Sequence, residues 1–150
     1  LMATSAIAAK VSEEFTESLN LIRAENASKS KISVFYQVWN QPLLTINGEH
    51  LISSVINLCA GENVFASIKT FVPQVNVEAI IEKDPQVIVI GMNEERKDWL
   101  DEWQQWKGLS AIRNNHVYPI NADLIVRHTP RVLQGAEILC AYLDKIREER

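Results

Sequence analysis

Two cysteines, Cys59 and Cys140, are the side chains with the most distinctive chemistry in this chain of 150 residues. Each comes late in an amphipathic helical pattern, in which apolar residues recur every three or four positions. Cysteines in such positions are either free thiols that serve as small apolar side chains or the two halves of a long-range disulfide. A disulfide would place the chain in an oxidising compartment. The pattern itself leaves both alternatives open.

The other reactive side chains lack the spacing that catalysis or metal binding requires. His50, His116 and His128 have no histidine four residues away and no nearby cysteine, so we predict no metal site and expect all three on the surface. Gly91 ends an apolar run, but no further glycine follows it closely enough for a dinucleotide or phosphate loop. There is no nucleophile-elbow serine and no paired carboxylate in an acid–base context. We therefore predict no catalytic residue, no enzyme activity and no resident cofactor.

Composition narrows the class of protein. A hydrophobic fraction of 47% and a charged fraction of 23% are typical of one globular domain. A net charge of −4, with 15 scattered basic residues, argues against a nucleic-acid partner. No apolar run approaches the ~20 residues that a membrane-spanning helix needs. The first five residues have no signal-peptide features, so either a signal has been removed or the sequence begins inside a longer chain.

Helical and strand patterns alternate along the chain. Amphipathic spacing and capping signals predict helices over 6–25, 49–58, 76–81, 94–106 and from Pro130 onward. Runs of β-branched, aromatic and apolar residues predict strands over 32–38, 63–65, 87–90 and 117–120. We expect Ile81 to point inward, and Trp99, Trp103 and Trp106 to pack on the sheet from one helical face. The alternation predicts a three-layer, Rossmann-like α/β domain with a mostly parallel sheet.

Three pairs of segments, in this order, carry a resemblance to a known family. They are Pro42–Gly48 with Cys59–Phe65, Pro73–Glu78 with Asp84–Ile90, and Trp106–Tyr118 with Asp123 and 127–131. Together they resemble the C-terminal lobe of the helical-backbone class of periplasmic substrate-binding proteins, which deliver cobalamin, haem or ferric siderophores to ABC importers. The likeness covers residues 32–150 and is greatest to the members that bind cobalamin (vitamin B12).

The resemblance implies a domain organisation and a function. Residues 1–30 would be the C-terminal part of a long interlobe helix with its linker, and residues 31–150 the C-terminal substrate-binding lobe. The whole protein would hold cobalamin in a cleft between two lobes in the periplasm and deliver it to the ABC permease in the inner membrane. A ferric siderophore or haem is the alternative ligand, and a flavodoxin-like enzyme domain is the alternative from another class. An exposed cleft face would also allow a lobe on its own to dimerise.

The resemblance further assigns residues to the ligand wall of the cleft. By position these are Gln37, Trp39, Leu44, Phe71, Val72, Asp123 and Arg127. Asp123 would accept hydrogen bonds from ligand amides and Arg127 would donate to an amide oxygen or phosphate, or the two would pair with each other. Val72 departs from the family pattern, in which a tryptophan stacks on the ligand. Phe71 or Trp39 would then have to supply the aromatic plane.

Two further roles are implied by the same resemblance. Glu78 matches the surface acid with which the family docks onto arginines of the membrane permease. As an early residue of a helix capped by Asn76, it is equally well explained by a favourable charge–dipole interaction. Cys59 and Cys140 match a disulfide-bonded pair.

Overall fold

The computed structural model describes residues 16–93, 98–125 and 131–149. Its helices are α1 (residues 16–26), α2 (Leu51–Leu58), α3 (Val77–Lys83), α4 (Asp98–Trp103), α5 (Ser110–Arg113), α6 (Ala122–Ile125) and α7 (Arg131–Glu148). Its strands are β1 (Ile32–Gln37), β2 (Gly61–Asn63), β3 (Val87–Met92) and β4 (Val117–Asn121). No helix within these residues is both long enough and apolar enough to span a bilayer.

The four strands form one parallel sheet in the order β2-β1-β3-β4. Val34 of β1 lies level with Asn63 of β2 and Val87 of β3, and Ile90 of β3 lies level with Pro119 of β4. Residues 87–91 are buried throughout, as a parallel strand covered on both faces requires. The predicted α/β class and parallel sheet are confirmed.

Alternate side chains of the sheet enter two separate cores. Val34 and Val89 point into a core closed by α2, α6 and α7, whereas Phe35 and Ile88 point into a core closed by α3, α4 and α5. We call α1, α2, α6 and α7 the stapled layer and α3, α4 and α5 the aromatic layer. Two helix layers therefore flank a buried sheet, which gives the three-layer arrangement that was predicted.

A disulfide between Cys59 and Cys140 fastens the end of α2 to α7, with Cα atoms 4.8 Å apart. Arg147 reinforces this contact by donating from Nη2 to the carbonyl oxygens of Cys59 (2.8 Å) and Ala60 (3.1 Å). Asp144 accepts charged hydrogen bonds from Lys29 and Arg147, each at 2.9 Å. Of the two alternatives for the cysteines, the disulfide is therefore confirmed.

Element boundaries differ from prediction where side-chain packing outweighs local pattern. The short strand expected at 63–65 lies at Gly61–Asn63. It begins at a glycine that packs closely, since a Cβ at Gly61 would come within 2.7 Å of Ile56 and 3.0 Å of Leu143. The described part of the Trp-rich helix ends at Trp103, and Trp106 follows it, 36% exposed. The one-turn helices α5 and α6 were not predicted. Residues 6–15, 94–97 and Pro130, where other helix boundaries were predicted, lie outside the described residues.

Three predictions about side-chain position are wrong. Trp106 does not pack on the sheet with Trp99 and Trp103, since it follows the end of α4 and is 36% exposed. Ile81 is 39% exposed, because α3 turns only Ile80 fully toward the sheet. His116 is buried, with 6% of its area exposed. Its ring is held between the Tyr118 hydroxyl, 3.0 Å from Nδ1, and the Glu149 carboxylate, 3.1 Å from Nε2. Because both ring nitrogens have a polar partner, the ring can be buried without leaving a polar atom unsatisfied.

Candidate functional site

The segments that carry the predicted ligand wall meet at the carboxyl edge of the sheet. In a parallel sheet every strand points the same way, so the connections that leave β1, β2 and β4 start at one edge. These connections contain Trp39 and Leu44 after β1, Phe71 and Val72 after β2, and Asp123 after β4. Crevices at this edge are where open α/β sheets bind ligands.

Backbone hydrogen bonds join the connections after β1 and β2 into one surface. Leu44 forms isolated antiparallel bridges with both Trp39 and Gln74. The Thr45 amide donates to the Pro73 carbonyl oxygen at 3.1 Å, and the Asn47 amide donates to that of Phe71 at 3.0 Å. Leu44 and Val72 are half-buried in this surface. We call the surface formed by residues 38–50 and 71–75 the edge wall.

Gln37 was expected on the ligand wall, but its side chain is buried beneath the edge wall. Only 1% of its area is exposed, and its Oε1 accepts a hydrogen bond of 2.7 Å from Nε1 of Trp103. Its Nε2 donates to the Trp39 carbonyl oxygen and to Oδ1 of Asn40, each at 3.4 Å. Direct contact of Gln37 with a ligand is untested, and the geometry assigns it a positioning role between α4 and the loop after β1.

Trp39 is the large aromatic that the loop after β1 presents to solvent, with 43% of its area exposed. Its ring meets that of Trp99 edge-on, with centroids 5.7 Å apart and planes 84° apart. Its Nε1 donates to the Gln41 carbonyl oxygen at 3.1 Å. Trp39 is therefore exposed, and its ring is held in one orientation.

Phe71 is more exposed than Trp39, at 52%, and is not a core aromatic. One face of its ring stacks on His50, with centroids 4.8 Å apart and planes 26° apart. Nδ1 of His50 accepts a hydrogen bond of 3.1 Å from the Ile52 amide and so caps α2. Burial lowers the pKa of His50 below its ordinary value. His50 was predicted to be an ordinary surface residue, and its contact with Phe71 was missed.

A buried network of polar side chains supports the edge wall from below. Asn47, 2% exposed, donates from Nδ2 to the carbonyl oxygens of Ile68 (3.0 Å) and Lys69 (3.3 Å). Ser53 donates to the Asn47 carbonyl oxygen at 2.6 Å, and Asn63 in turn donates to the Ser53 hydroxyl at 2.8 Å. This network was not predicted from the sequence. Its only signal was an asparagine placed directly between apolar Ile46 and a turn glycine.

Asp123 is exposed in the first turn of α6, where its amide donates to Oδ1 of Asn121 at 2.9 Å. Arg127, its predicted partner, lies outside the described residues. Asp123 follows β4, and β3 separates that strand from β1. Adjacent strands lie about 4.8 Å apart, which places the start of the Asp123 segment roughly 10 Å along the edge from the end of β1.

Glu78 lies in the first turn of α3, which Asn76 caps by accepting the Ala79 amide at 2.8 Å. The predicted cap is therefore confirmed. Glu78 lines a groove of about 410 Å³ together with Asn40, Glu102 and Trp106. Glu102 accepts a hydrogen bond of 2.7 Å from Asn40, so this groove adjoins the loop that presents Trp39. Glu78 is exposed to solvent at its rim.

Gly91 serves packing within the sheet. A Cβ at this position would overlap the Tyr36 hydroxyl of the neighbouring strand, so glycine is needed for the close approach of that ring. Across residues 16–93, 98–125 and 131–149, no group of three His, Cys, Asp or Glu side chains is arranged to hold a metal ion.

Comparison with known proteins places these features in a family. The model of the periplasmic binding protein family matches residues 4–124. The vitamin B12-binding protein of Vibrio parahaemolyticus is 36% identical over 142 residues, which cover 94% of this chain and 51% of that protein. That of Yersinia pestis is 32% identical over 137 residues, covering 91% of this chain and 47% of the relative. The chain thus spans about half the length of the curated relatives it matches.

Solved structures give the same result. The crystal structure of the periplasmic vitamin B12 binding protein of Vibrio cholerae superposes with a TM-score of 0.82 at 36% identity, covering 92% of this chain and 54% of that one. The periplasmic haem binding protein of Vibrio cholerae superposes with a TM-score of 0.80 at 18% identity, covering 94% and 58%, and shows the shared fold alone.

Proposed function

The chain belongs to the periplasmic binding protein family, and we propose that it forms one lobe of a cobalamin-binding component of an ABC importer. In this proposal the edge wall is one side of a cleft that holds the ligand. The chemistry required is recognition without transformation, and the matched relatives are binding proteins. The whole protein would act in the periplasm and deliver cobalamin to a permease in the inner membrane.

The observation that carries the proposal is the pair of exposed aromatic rings on one wall. Trp39 and Phe71 are 43% and 52% exposed, yet each ring is fixed by a second ring, that of Trp99 or His50. An exposed aromatic ring lacks the stabilisation that burial of its apolar area would give. A flat, largely apolar ligand would cover the two rings and provide that stabilisation on binding. Asp123 at the same edge supplies an acceptor for amide groups around such a ligand.

The disulfide between Cys59 and Cys140 supports the proposed location in the periplasm. Cys59 and Cys140 are bonded across 81 positions of sequence, and such bonds persist in oxidising compartments. We expect alkylation of the air-purified, unreduced protein to label no cysteine, as read by mass spectrometry. Two labelled cysteines would contradict the periplasmic assignment.

Ligand binding is tested by titrating the chain with cyanocobalamin and following tryptophan indole signals by NMR, which reports weak binding by a single wall. We expect the Trp39 indole to shift and the Trp106 indole, on the helix side of the groove, to stay in place. Trp39→Ala, followed through the backbone amide signals of residues 71–75, should weaken binding about tenfold, because it removes one stacked ring. Trp106→Ala is the matched control, since Trp106 is 36% exposed and lies outside the edge wall.

Haemin and a ferric hydroxamate siderophore are titrated in parallel to identify the ligand class. A Trp39 response to one of these and none to cyanocobalamin would reject cobalamin while keeping the binding function. No response of Trp39 to any of the three at millimolar concentration would reject the proposed ligand wall. Sedimentation of the free chain shows whether self-association through the exposed wall competes with the ligand.

The proposed permease contact is Glu78. Its carboxylate is exposed on the rim of the groove, and a rim charge acts mainly on the association rate and on its salt dependence. We expect Glu78→Gln to slow association with the permease severalfold at low salt, measured by surface plasmon resonance on permease in nanodiscs. Glu82→Gln, an exposed acid of the same helix that does not line the groove, is the control. Equal rates for the two variants would remove Glu78 from the contact.

A further inference from the structure

The stack of Phe71 on His50 is more than the capping of α2 requires. An N-cap needs one acceptor atom, and Nδ1 of His50 supplies it to the Ile52 amide at 3.1 Å. The imidazole ring additionally covers one face of Phe71 at a centroid distance of 4.8 Å. Phe71 keeps 52% of its area exposed at the edge wall. One residue thus joins the end of a core helix to an exposed ring.

The capping bond fixes the plane of the imidazole. Because Nδ1 accepts a hydrogen bond, it carries no hydrogen, and a neutral ring then bears its hydrogen on Nε2. Rotation of the ring would break the bond to Ile52 and leave that amide without its cap. The His50 ring is therefore a rigid support whose orientation is set by α2.

The backbone of Phe71 is held from the same turn. The Phe71 carbonyl oxygen accepts the Asn47 amide at 3.0 Å. Nδ2 of Asn47 also holds the carbonyl oxygens of Ile68 and Lys69, and its Oδ1 accepts the Glu49 amide at 3.0 Å. Both rings of the stack are thus anchored to the turn of residues 47–50.

We propose that His50 and Phe71 form a two-ring platform, in which Phe71 stacks on the flat face of the ligand and His50 is the positioning residue that sets the plane of the phenyl ring. The inference rests on the proposed ligand-binding function and deepens it. A phenyl ring alone offers less area than an indole, and a fixed orientation lowers the entropy lost on stacking. Val72 provides no aromatic surface beside it.

The platform has a built-in dependence on pH. A proton on Nδ1 would replace the acceptor by a donor facing the Ile52 amide and would put positive charge at the N-terminus of α2, where it is unfavourable. Burial of the ring also disfavours the charged form and lowers the pKa of His50. The charged residues in the segments that hold the stack are Glu49 and Lys69, which are exposed and of opposite sign. The platform is therefore intact at neutral pH and loosens as the pH falls through a value below about 6.5.

Two substitutions separate the cap from the stack. His50→Asn keeps a good N-cap, since asparagine caps well through Oδ1, but removes the supporting ring. His50→Phe keeps a ring under Phe71 but removes the cap and the titratable group. The measurement is the dissociation constant for cyanocobalamin, obtained from the Trp39 indole shift at several pH values between 7 and 5.

For the unsubstituted chain we expect binding to weaken as the pH falls through the lowered pKa of His50. His50→Asn should raise the dissociation constant about 2- to 10-fold at pH 7, the usual contribution of one aromatic pair. In both variants the dissociation constant should vary much less with pH. His50→Phe should bind closer to the unsubstituted chain at pH 7, although it unfolds at a lower denaturant concentration.

The outcomes separate this inference from the proposed function. If His50→Asn binds cyanocobalamin as tightly as the unsubstituted chain, His50 is only a helix cap and the inference is wrong, while the ligand wall stands. An unchanged pH response in His50→Asn would also overturn it. If the unsubstituted chain binds neither cyanocobalamin nor haemin nor the siderophore, the proposed function and the platform fail together.

Discussion

The two helix layers of this lobe are held to the same sheet by different means. The stapled layer is fastened by a disulfide, by Arg147 on the carbonyl oxygens of residues 59 and 60, and by the ion pairs of Asp144. The aromatic layer consists of short helices held by ring contacts, such as Phe35 with Trp103 at 5.9 Å. One layer depends on covalent and ionic bonds, the other on buried rings.

The edge wall is supported by side chains of both layers. Trp39 is supported by Trp99 and, through Gln37, by Trp103 of the aromatic layer. Phe71 is supported by His50 at the start of α2, in the stapled layer. A substitution in either layer should therefore change one part of the wall more than the other.

The largest expected effect is the loss of the disulfide. Replacing both Cys59 and Cys140 by Ala should lower the free energy of unfolding by about 4.5 kcal/mol, because the bond closes a long loop in the unfolded chain. Urea unfolding followed by circular dichroism measures the change. The unsubstituted chain with and without reductant is the control. A loss below about 1 kcal/mol would show that Arg147 and Asp144 hold the stapled layer without the bond.

The next largest effect is expected for Asn47→Ala, which tests whether the edge wall depends on its buried polar support. The substitution removes the hydrogen bonds to Ile68, Lys69 and Glu49 and should lower the free energy of unfolding by about 2–3 kcal/mol. Phe71 should lose its fixed position, so the NMR signals of residues 68–71 should broaden or shift. Asn57→Ala, at an exposed position of α2, is the control and should change stability by less than about 0.5 kcal/mol. Equal stability of the two variants would contradict the supporting role.

A smaller effect is expected in the aromatic layer from Trp103→Phe. The ring stays, but Oε1 of buried Gln37 loses the donor that lies 2.7 Å away, which should cost about 1–2 kcal/mol in the free energy of unfolding. The Trp39 indole signal should shift, since Gln37 also holds the Trp39 carbonyl oxygen. Trp106→Phe should leave both stability and the Trp39 signal unchanged. If it perturbs them as much as Trp103→Phe does, the contact through Gln37 is not specific.

The smallest effect is expected for Asp144→Asn, which weakens the ionic part of the stapled layer. Burial would raise the pKa of Asp144, but the hydrogen bonds and charges of Lys29 and Arg147 outweigh it and lower the pKa. This carboxylate therefore adds stability above the ordinary aspartate pKa, and the contribution is lost as the pH falls through the lower folded value. Because the pair is partly exposed, the loss at pH 7 should be no more than about 1 kcal/mol.

The acid dependence of unfolding measures this contribution. Between pH 5 and pH 2 the stability of Asp144→Asn should fall less than that of the unsubstituted chain. Glu137→Gln, an exposed residue of α7, is the control and should follow the unsubstituted curve. Parallel curves for all three proteins would remove the ion pairs from the account of the stapled layer.

The sheet was predictable because its strands carry their own signal. The apolar run from Val87 to Ile90 is flanked by turn residues, and only a strand buried on both faces suits such a run. The resemblance to the family supplied the disulfide and the order of the wall segments, which spacing alone left open.

The side-chain contacts that support the wall were not predictable. Each joins residues that are distant in sequence, or involves a residue type that is equally common in another role. His50 lies 21 positions before Phe71, and nothing in the local pattern separates a capping histidine from a surface one. Asn47 reads as a turn residue until its three partners are known. Gln37 was assigned to the wall by position, but the Trp103 indole that holds it comes from α4, 66 positions later in the sequence.

Helix α2 connects the edge wall to the disulfide. Its N-cap is His50, beneath Phe71, and its C-cap is Cys59, in the disulfide. With eight residues it is a rod about 12 Å long. A tilt of about 5° about the sulfur end would move the opposite end of the helix by about 1 Å. Cleaving a bond far from the cleft should therefore loosen the aromatic ring that the opposite end carries.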